Sequence, residues 1–200
     1  MFRTLNAAKL ELLKMKDNFD ACFKGMLRSE GGFVNHPKDP GGMTNLGVTK
    51  RVYESWVKRE VTEKEMRDLK PTDVRELYLK LYWEPCRCDE LTWGVDYSVF
   101  DFAVNAGVKR SVMTLQRCIG VKDDGIFGPG TMKAVKEAAP EEIIGKFFDV
   151  RIRFYQQLKN YETFGKGWHH RAATVSLDSK RMHEKHQAKD SKDSESSPSQ

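Results

Sequence analysis

Residues Arg28 to Thr49, "RSEGGFVNHPKDPGGMTNLGVT", constrain the fold more than any other stretch, because they interrupt a chain that otherwise reads as helix after helix. The stretch holds five glycines and two prolines, residues that open backbone shapes closed to others or remove a backbone donor. Before it, Leu10, Leu13, Phe19, Phe23, Met26 and Leu27 recur at helical spacing, which predicts a helix over residues 6–28 stopped by Gly31 and Gly32. After it, "PTDVRELYLKLYWEP", "DYSVFDFAVNAG", "KRSVMTLQRCIG" and "TMKAVKEAA" each carry helical periodicity closed by Pro, Gly or a turn. A last long helix is predicted over residues 140–161. A small hairpin within residues 31–48 is the one strand signal. The fold class is therefore mostly α, with one long glycine-rich loop or small β-hairpin after the first helix. A long loop in a compact helical chain is usually functional.

Two carboxylates and a hydroxyl sit in that loop: Glu30 at the helix end, Asp39 nine positions on, and Thr44 five after that. Glu30 lies where an apolar helix face meets a glycine turn. Partial desolvation at such a junction is what keeps a general acid protonated near neutral pH. Asp39, between Lys38 and Pro40, lies in a polar turn that keeps a carboxylate ionised. Two carboxyl groups in contrasting environments are the requirement of glycoside hydrolysis, and Thr44 can hold a water.

The remaining composition narrows the function by exclusion. The 200 residues carry a net charge of +5 without a dense basic stripe interleaved with aromatics, so nucleic acid is not an expected partner. No segment is long and apolar enough for stable membrane insertion. Cys22, Cys86, Cys88 and Cys118 lack zinc-ligand spacing, and His169 and His170 have no metal partners at fitting distance along the chain. No metal and no cofactor are expected. Lys9, Glu11, Lys14 and Lys16 break the apolar run that a secretory signal needs. The expected location is the cytoplasm of the producing cell, with action in the periplasm or wall after release.

"SEGGFVNHPKDPGGMTNLGVT" resembles the glutamate-glycine-glycine loop of glycoside hydrolase family 108, the N-acetylmuramidases of phage endolysins and bacterial wall-remodelling proteins. "ELYLKLYWEPCRCDEL" resembles the family's Tyr-Trp segment. "VFDFAVNAGVKRSVMTLQRCIGVKDDGIFGPGTMKAV" resembles the passage into its peptidoglycan-binding region, and "FGKGWHHR" its closing segment. The likeness covers residues 19–172 and implies a lysozyme-like helical domain. It divides the chain into a muramidase region at 1–107 and a helical peptidoglycan-binding-like region at 108–175, packed into the same globular unit. Residues 176–200 have almost no large apolar side chains and are predicted to be disordered.

The resemblance implies Glu30 as the catalytic acid. Asp39 and Thr44 resemble the acid partner and threonine of T-even phage lysozymes, with the spacing from aspartate to threonine one residue shorter here. Phe33 stands where the family often has Tyr, so it is expected to pack rather than donate a hydrogen bond. The resemblance also implies Asn105 as a substrate-binding residue lining the sugar cleft. Trp83 and Trp168 are candidate substrate-binding residues on their own chemistry, since an indole ring can stack on a sugar face, though a Trp at helical spacing more often fills a core. The implied partner is bacterial peptidoglycan, cut at the β-1,4 bond between N-acetylmuramic acid and N-acetylglucosamine by a monomeric endolysin that depends on a holin for access to the wall. A lytic transglycosylase using the same Glu30, and a noncatalytic wall-binding or phage-structural module, are the rival expectations.

Overall fold

The computed structural model describes residues 18–35 and 42–195. Asp39, and residues 6–17 of the first expected helix, lie outside the described residues. The described chain is mostly helical with one two-stranded antiparallel hairpin, as the sequence predicts. It divides into two compact units, Met1–Leu81 and Tyr82–Gln200.

In the first unit, α1 (residues 18–28) buries Phe19, Cys22, Phe23 and Met26, an i, i+3, i+4, i+7 stripe. The hairpin follows, β1 (Thr44–Asn45) pairing with β2 (Val48–Thr49) in the register Thr44↔Thr49 and Asn45↔Val48. Its turn needs positive φ at both central residues, and Leu46 (50°) and Gly47 (77°) supply it. Thr49 then caps α2 (Lys50–Val57) by accepting from the Val52 N–H. Thr62 and Glu65 form the capping box of α3 (Glu63–Arg67) that the "TEKE" string predicts. The Asn45 side chain donates to the Met66 and Arg67 carbonyls at 2.8 and 3.1 Å, which ties the hairpin to the end of α3. The helix α4 (Pro71–Tyr78) lays Tyr78 against Phe23, ring centroids 5.6 Å apart. Phe33 packs as expected, with the Arg67 guanidinium 4.1 Å over its ring.

In the second unit, α5 (Val95–Ala106) is buried at every position from Val95 to Ala103. Around it pack α6 (Val108–Cys118), α8 (Pro140–Gln156) and α9 (Tyr161–Glu195). Phe102 is central, meeting Phe147, Phe154 and Tyr155 edge-on at 5.9, 5.7 and 6.0 Å. The "DDGIFGPGT" string forms a structured turn into α7 (Pro129–Glu137). Buried Gln116 holds that turn, accepting from the Gly125 N–H and donating to the Ile126 carbonyl. The expected boundary at residue 107 is not where the compact units part, because α5 shares its core with the helices that follow it.

Two expectations are corrected here. The helix predicted over 140–161 ends at Gln156, and a new one begins at Tyr161 after a turn over residues 157–160. That new helix runs to Glu195, so the segment from 176 is not a disordered tail. Ala172, Val175, Ser179 and His183 form its buried stripe, spaced by three and four residues. The side chains are small or polar, and their contacts are specific. Ser179 shares a 2.9 Å hydrogen bond with Ser98, His183 pairs with Glu141 at 3.0 Å, and His186 stacks on Trp93 at 5.1 Å. Gly94 (φ 89°) lies so close beneath the Ser179 carbonyl that a Cβ there would overlap it.

The four cysteines are buried thiols. Burial pushes the Cys118 thiol up to about 12. Among the described residues no helix is long and apolar enough to cross a membrane, and no three His, Cys, Asp or Glu side chains gather as metal ligands.

Candidate active site

The end of α1 carries Glu30 into the glycine loop. The Ser29 and Glu30 N–H groups donate back to the Met26 and Leu27 carbonyls at 2.9 and 3.2 Å, closing the last turn. Glu30 is half-buried. Its carboxyl group lies against Gly47 at the hairpin turn, so closely that a Cβ on Gly47 would fall 2.8 Å from Cδ and from Oε2. The same point lies 2.7 Å from the Tyr78 hydroxyl, which donates to the Leu46 carbonyl at 2.8 Å. Three elements thus converge on one carboxyl group: a helix end, a hairpin turn and the last residue of α4. Gly47 is glycine for two reasons, its positive φ and the space the carboxylate takes.

Thr44 lies in β1 of that hairpin, half-buried, with backbone bonds of 2.8 Å to and from Val34. The ladder fixes its position, and strand alternation turns its side chain to the face opposite Asn45. Gly47 and Tyr78 were not singled out in the sequence. "TNLGVT", a glycine turn between short β-branched runs, was the signal for Gly47; Tyr78 reads simply as a core position of its helix.

Of the expected sugar contacts, the structure brings two together and removes one. Asn105 is exposed, and its Oδ1 accepts from the Tyr155 hydroxyl at 2.7 Å. Trp168, half-buried, packs on the same Tyr155 with ring centroids 5.3 Å apart. Trp83, by contrast, is fully buried, edge-on to Phe100 at 5.4 Å, with Nε1 donating to Asp89 at 2.7 Å. No sugar reaches it, so it is a core residue; a Trp at helical spacing fills a core more often than a binding site.

Beneath Tyr155 lies a buried charge cluster. Asp101 takes a 2.7 Å ion pair from Arg151 and a 2.8 Å pair from Arg171. Burial works against its charge, but the two guanidiniums outweigh it and hold the Asp101 carboxyl below the usual carboxylate range. Burial likewise raises the Tyr155 phenol, so its hydroxyl keeps its proton.

A helical chain that sets a half-buried glutamate at the end of its first helix, against a hairpin turn, has the design of a lysozyme-like glycosidase. A glycosyl hydrolase 108 model matches residues 23–107, and a predicted peptidoglycan domain matches residues 110–173. Among solved structures, SagA of Brucella abortus is 36% identical, with a TM-score of 0.76, over 84% of this chain and 97% of that one. No curated protein matches. The chain belongs to glycosyl hydrolase family 108 and is a glycoside hydrolase of peptidoglycan.

Proposed function

We propose that this hydrolase is an N-acetylmuramidase that cleaves the β-1,4 bond from N-acetylmuramic acid to N-acetylglucosamine, with Glu30 as its general acid. The observation that carries this reading is the seat of the Glu30 carboxyl against Gly47 and Tyr78, on the loop that the family's own model spans. Glu30 protonates the departing glycosidic oxygen as positive charge builds on the muramic ring. Asp39 stabilises that charge or activates the attacking water, and Thr44 orients the water. In this scheme the water enters on the face opposite the leaving group, and the anomeric centre inverts. The chain acts as a monomer and serves host-cell lysis as an endolysin, reaching the wall through a holin-made lesion.

Glu30→Gln tests the assignment, since it keeps the shape and removes the proton. General acid catalysis is worth about a hundredfold to ten-thousandfold. Wall digestion by the variant should fall by at least about a hundredfold at unchanged melting temperature; a loss of under about tenfold would refute the role. Mass spectrometry of the wild-type digest should give reducing muramic ends. Ends of 1,6-anhydro form would make the enzyme a transglycosylase, and an inert wild-type protein would make it a binding module.

A further inference from the structure

Tyr161 opens α9, and its ring lies down along that helix. A Cβ built on Gly165, one turn on, would fall 2.8, 2.9 and 3.2 Å from Cε2, Cδ2 and Cζ of the Tyr161 ring. Three consecutive ring atoms at nearly equal distance put that point over the face of the ring. An edge-on approach to the Cδ2–Cε2 side would leave Cζ well behind. One face of the ring therefore rests on bare backbone, and glycine at 165 is what lets it settle there. The hydroxyl end is pinned as well. The Tyr161 hydroxyl and His169 Nε2 are 2.8 Å apart, and either tautomer of the imidazole keeps the bond. The two ring centroids are 5.8 Å apart, which sets the imidazole at the hydroxyl end of the phenol. Positions 161, 165 and 169 are spaced by four and share one face of α9.

Half-buried Tyr161 turns its other face to a groove of about 500 Å³, lined by Tyr161, Glu162, Gly165, Lys166 and His169. Small-molecule sites run to roughly 300–1,000 Å³. The two charged residues of the groove have not paired with each other. Glu142 and Lys146, four apart on α8, close to 3.0 Å. Glu162 and Lys166 have the same order and spacing on α9, a favourable one for an ion pair. Yet neither side chain has an ion-pair or hydrogen-bond partner among the described residues. An acceptor carboxylate and a donor ammonium, with charges that cancel, thus flank a flat, fixed apolar face.

We propose that this groove is a carbohydrate subsite of the second unit. The outer face of Tyr161 stacks on one N-acetylhexosamine ring of the wall glycan. Glu162 accepts from the hydroxyl and amide groups on that ring's rim, and Lys166 donates to its hydroxyl and acetamido oxygens. A β-1,4-linked hexosamine carries its polar groups around the edge of the ring and C–H bonds on its faces, which complements this surface. The cancelling charges favour such an uncharged ligand over an ionic one. All five lining residues fall within residues 110–173, the stretch matched by the predicted peptidoglycan domain. The inference rests on the chain acting on peptidoglycan and not on which bond it cuts.

The full chain carrying Glu30→Gln, which leaves the ligand uncut, tests this by NMR with its tyrosine rings labelled. The signal lost on adding Tyr161→Leu assigns the Tyr161 ring. Chitotetraose and peptide-free wall glycan should each shift that signal, saturably and more than free stem peptide does. By calorimetry, Tyr161→Leu should weaken binding of the peptide-free glycan about tenfold, the scale of a lost aromatic stack. Gly165→Ala puts a methyl under the ring and lifts it, so it should weaken binding several-fold. Gly167→Ala, whose Cβ meets no described atom within 4 Å, should not. Alanine is the better helix former at both positions, so a difference between the two variants reports on the ring and not on the helix. A Tyr161 signal that moves only with stem peptide assigns the groove to the peptide and overturns the proposal. A signal that moves with no probe overturns it outright, whatever Tyr161→Leu does to stability. Neither result bears on the bond that is cut, which the analysis of reducing ends decides separately.

Discussion

Gly47→Ala, compared with Gly42→Ala, isolates the effect of displacing the Glu30 carboxyl. Both glycines have positive φ, 77° and 71°. Alanine at either site pays the left-handed strain of roughly 1–2 kcal/mol, which lowers melting by about 2–8 °C for a chain of this size. Among the described residues, only at Gly47 does the new methyl meet anything: it would lie 2.8 Å from Glu30 Cδ, whereas a Cβ at Gly42 meets no described atom within 4 Å. Ordinary contact begins at 3.4 Å, so the carboxyl or the turn must give by at least 3.4 − 2.8 = 0.6 Å. Misplacing a catalytic group by about 1 Å can cost about a hundredfold in rate, or about 2.7 kcal/mol. Initial rates of muropeptide release, read beside thermal melts, should show both variants destabilised alike and only Gly47→Ala losing at least about tenfold in rate. Equal rate losses would refute the argument that Gly47 makes room for the acid.

Two further outcomes follow from the second unit. Deleting Leu177–Gln200 removes the Ser98–Ser179 hydrogen bond and the Trp93–His186 stack, worth about 2–4 kcal/mol together with the hydroxyl left unpaired. Melting should fall by roughly 4–16 °C, and an unchanged melting temperature would show that α9 adds nothing beyond Ser176. Asp101 has a lowered pKa, so the stability it contributes is complete above its unfolded pKa of about 3.9 and is lost as pH falls through the folded value. Urea titrations should show wild-type stability falling below about pH 4 with a steeper slope than Asp101→Asn. That variant should be weaker by about 3–5 kcal/mol at neutral pH, because it takes the carboxylate away from the buried Arg151 guanidinium.

The parts of the fold legible in the sequence are those written in large apolar side chains or in turn chemistry. Phe19, Phe23 and Met26 announce α1, Thr62 and Glu65 announce the start of α3, and the glycines around Asn45 announce a hairpin. What escaped is held by other means. The stripe of α9 below Ala172 and Val175 is Ser179 and His183, and neither counts as apolar in a periodicity search. The break between α8 and α9 passes through Leu158, whose apolar character continues the preceding pattern. Trp83 and Trp168 are the same residue type in comparable helical settings, yet one closes a core and the other packs half-exposed on Tyr155. Only the partners tell them apart. Glu30 stood out because a glycine loop beside a helix end is uncommon. Gly47 and Tyr78 contact it across stretches of chain that local pattern does not connect.

The buried thiols make the chain its own reporter of local opening. Cys22 belongs to the first compact unit, and Cys86, Cys88 and Cys118 to the second. A thiol reagent reaches such a side chain only when its surroundings open, and then at a rate set by the population of the open form. Mass-resolved labelling at the four positions therefore measures the breathing of each unit separately, without adding a probe to either.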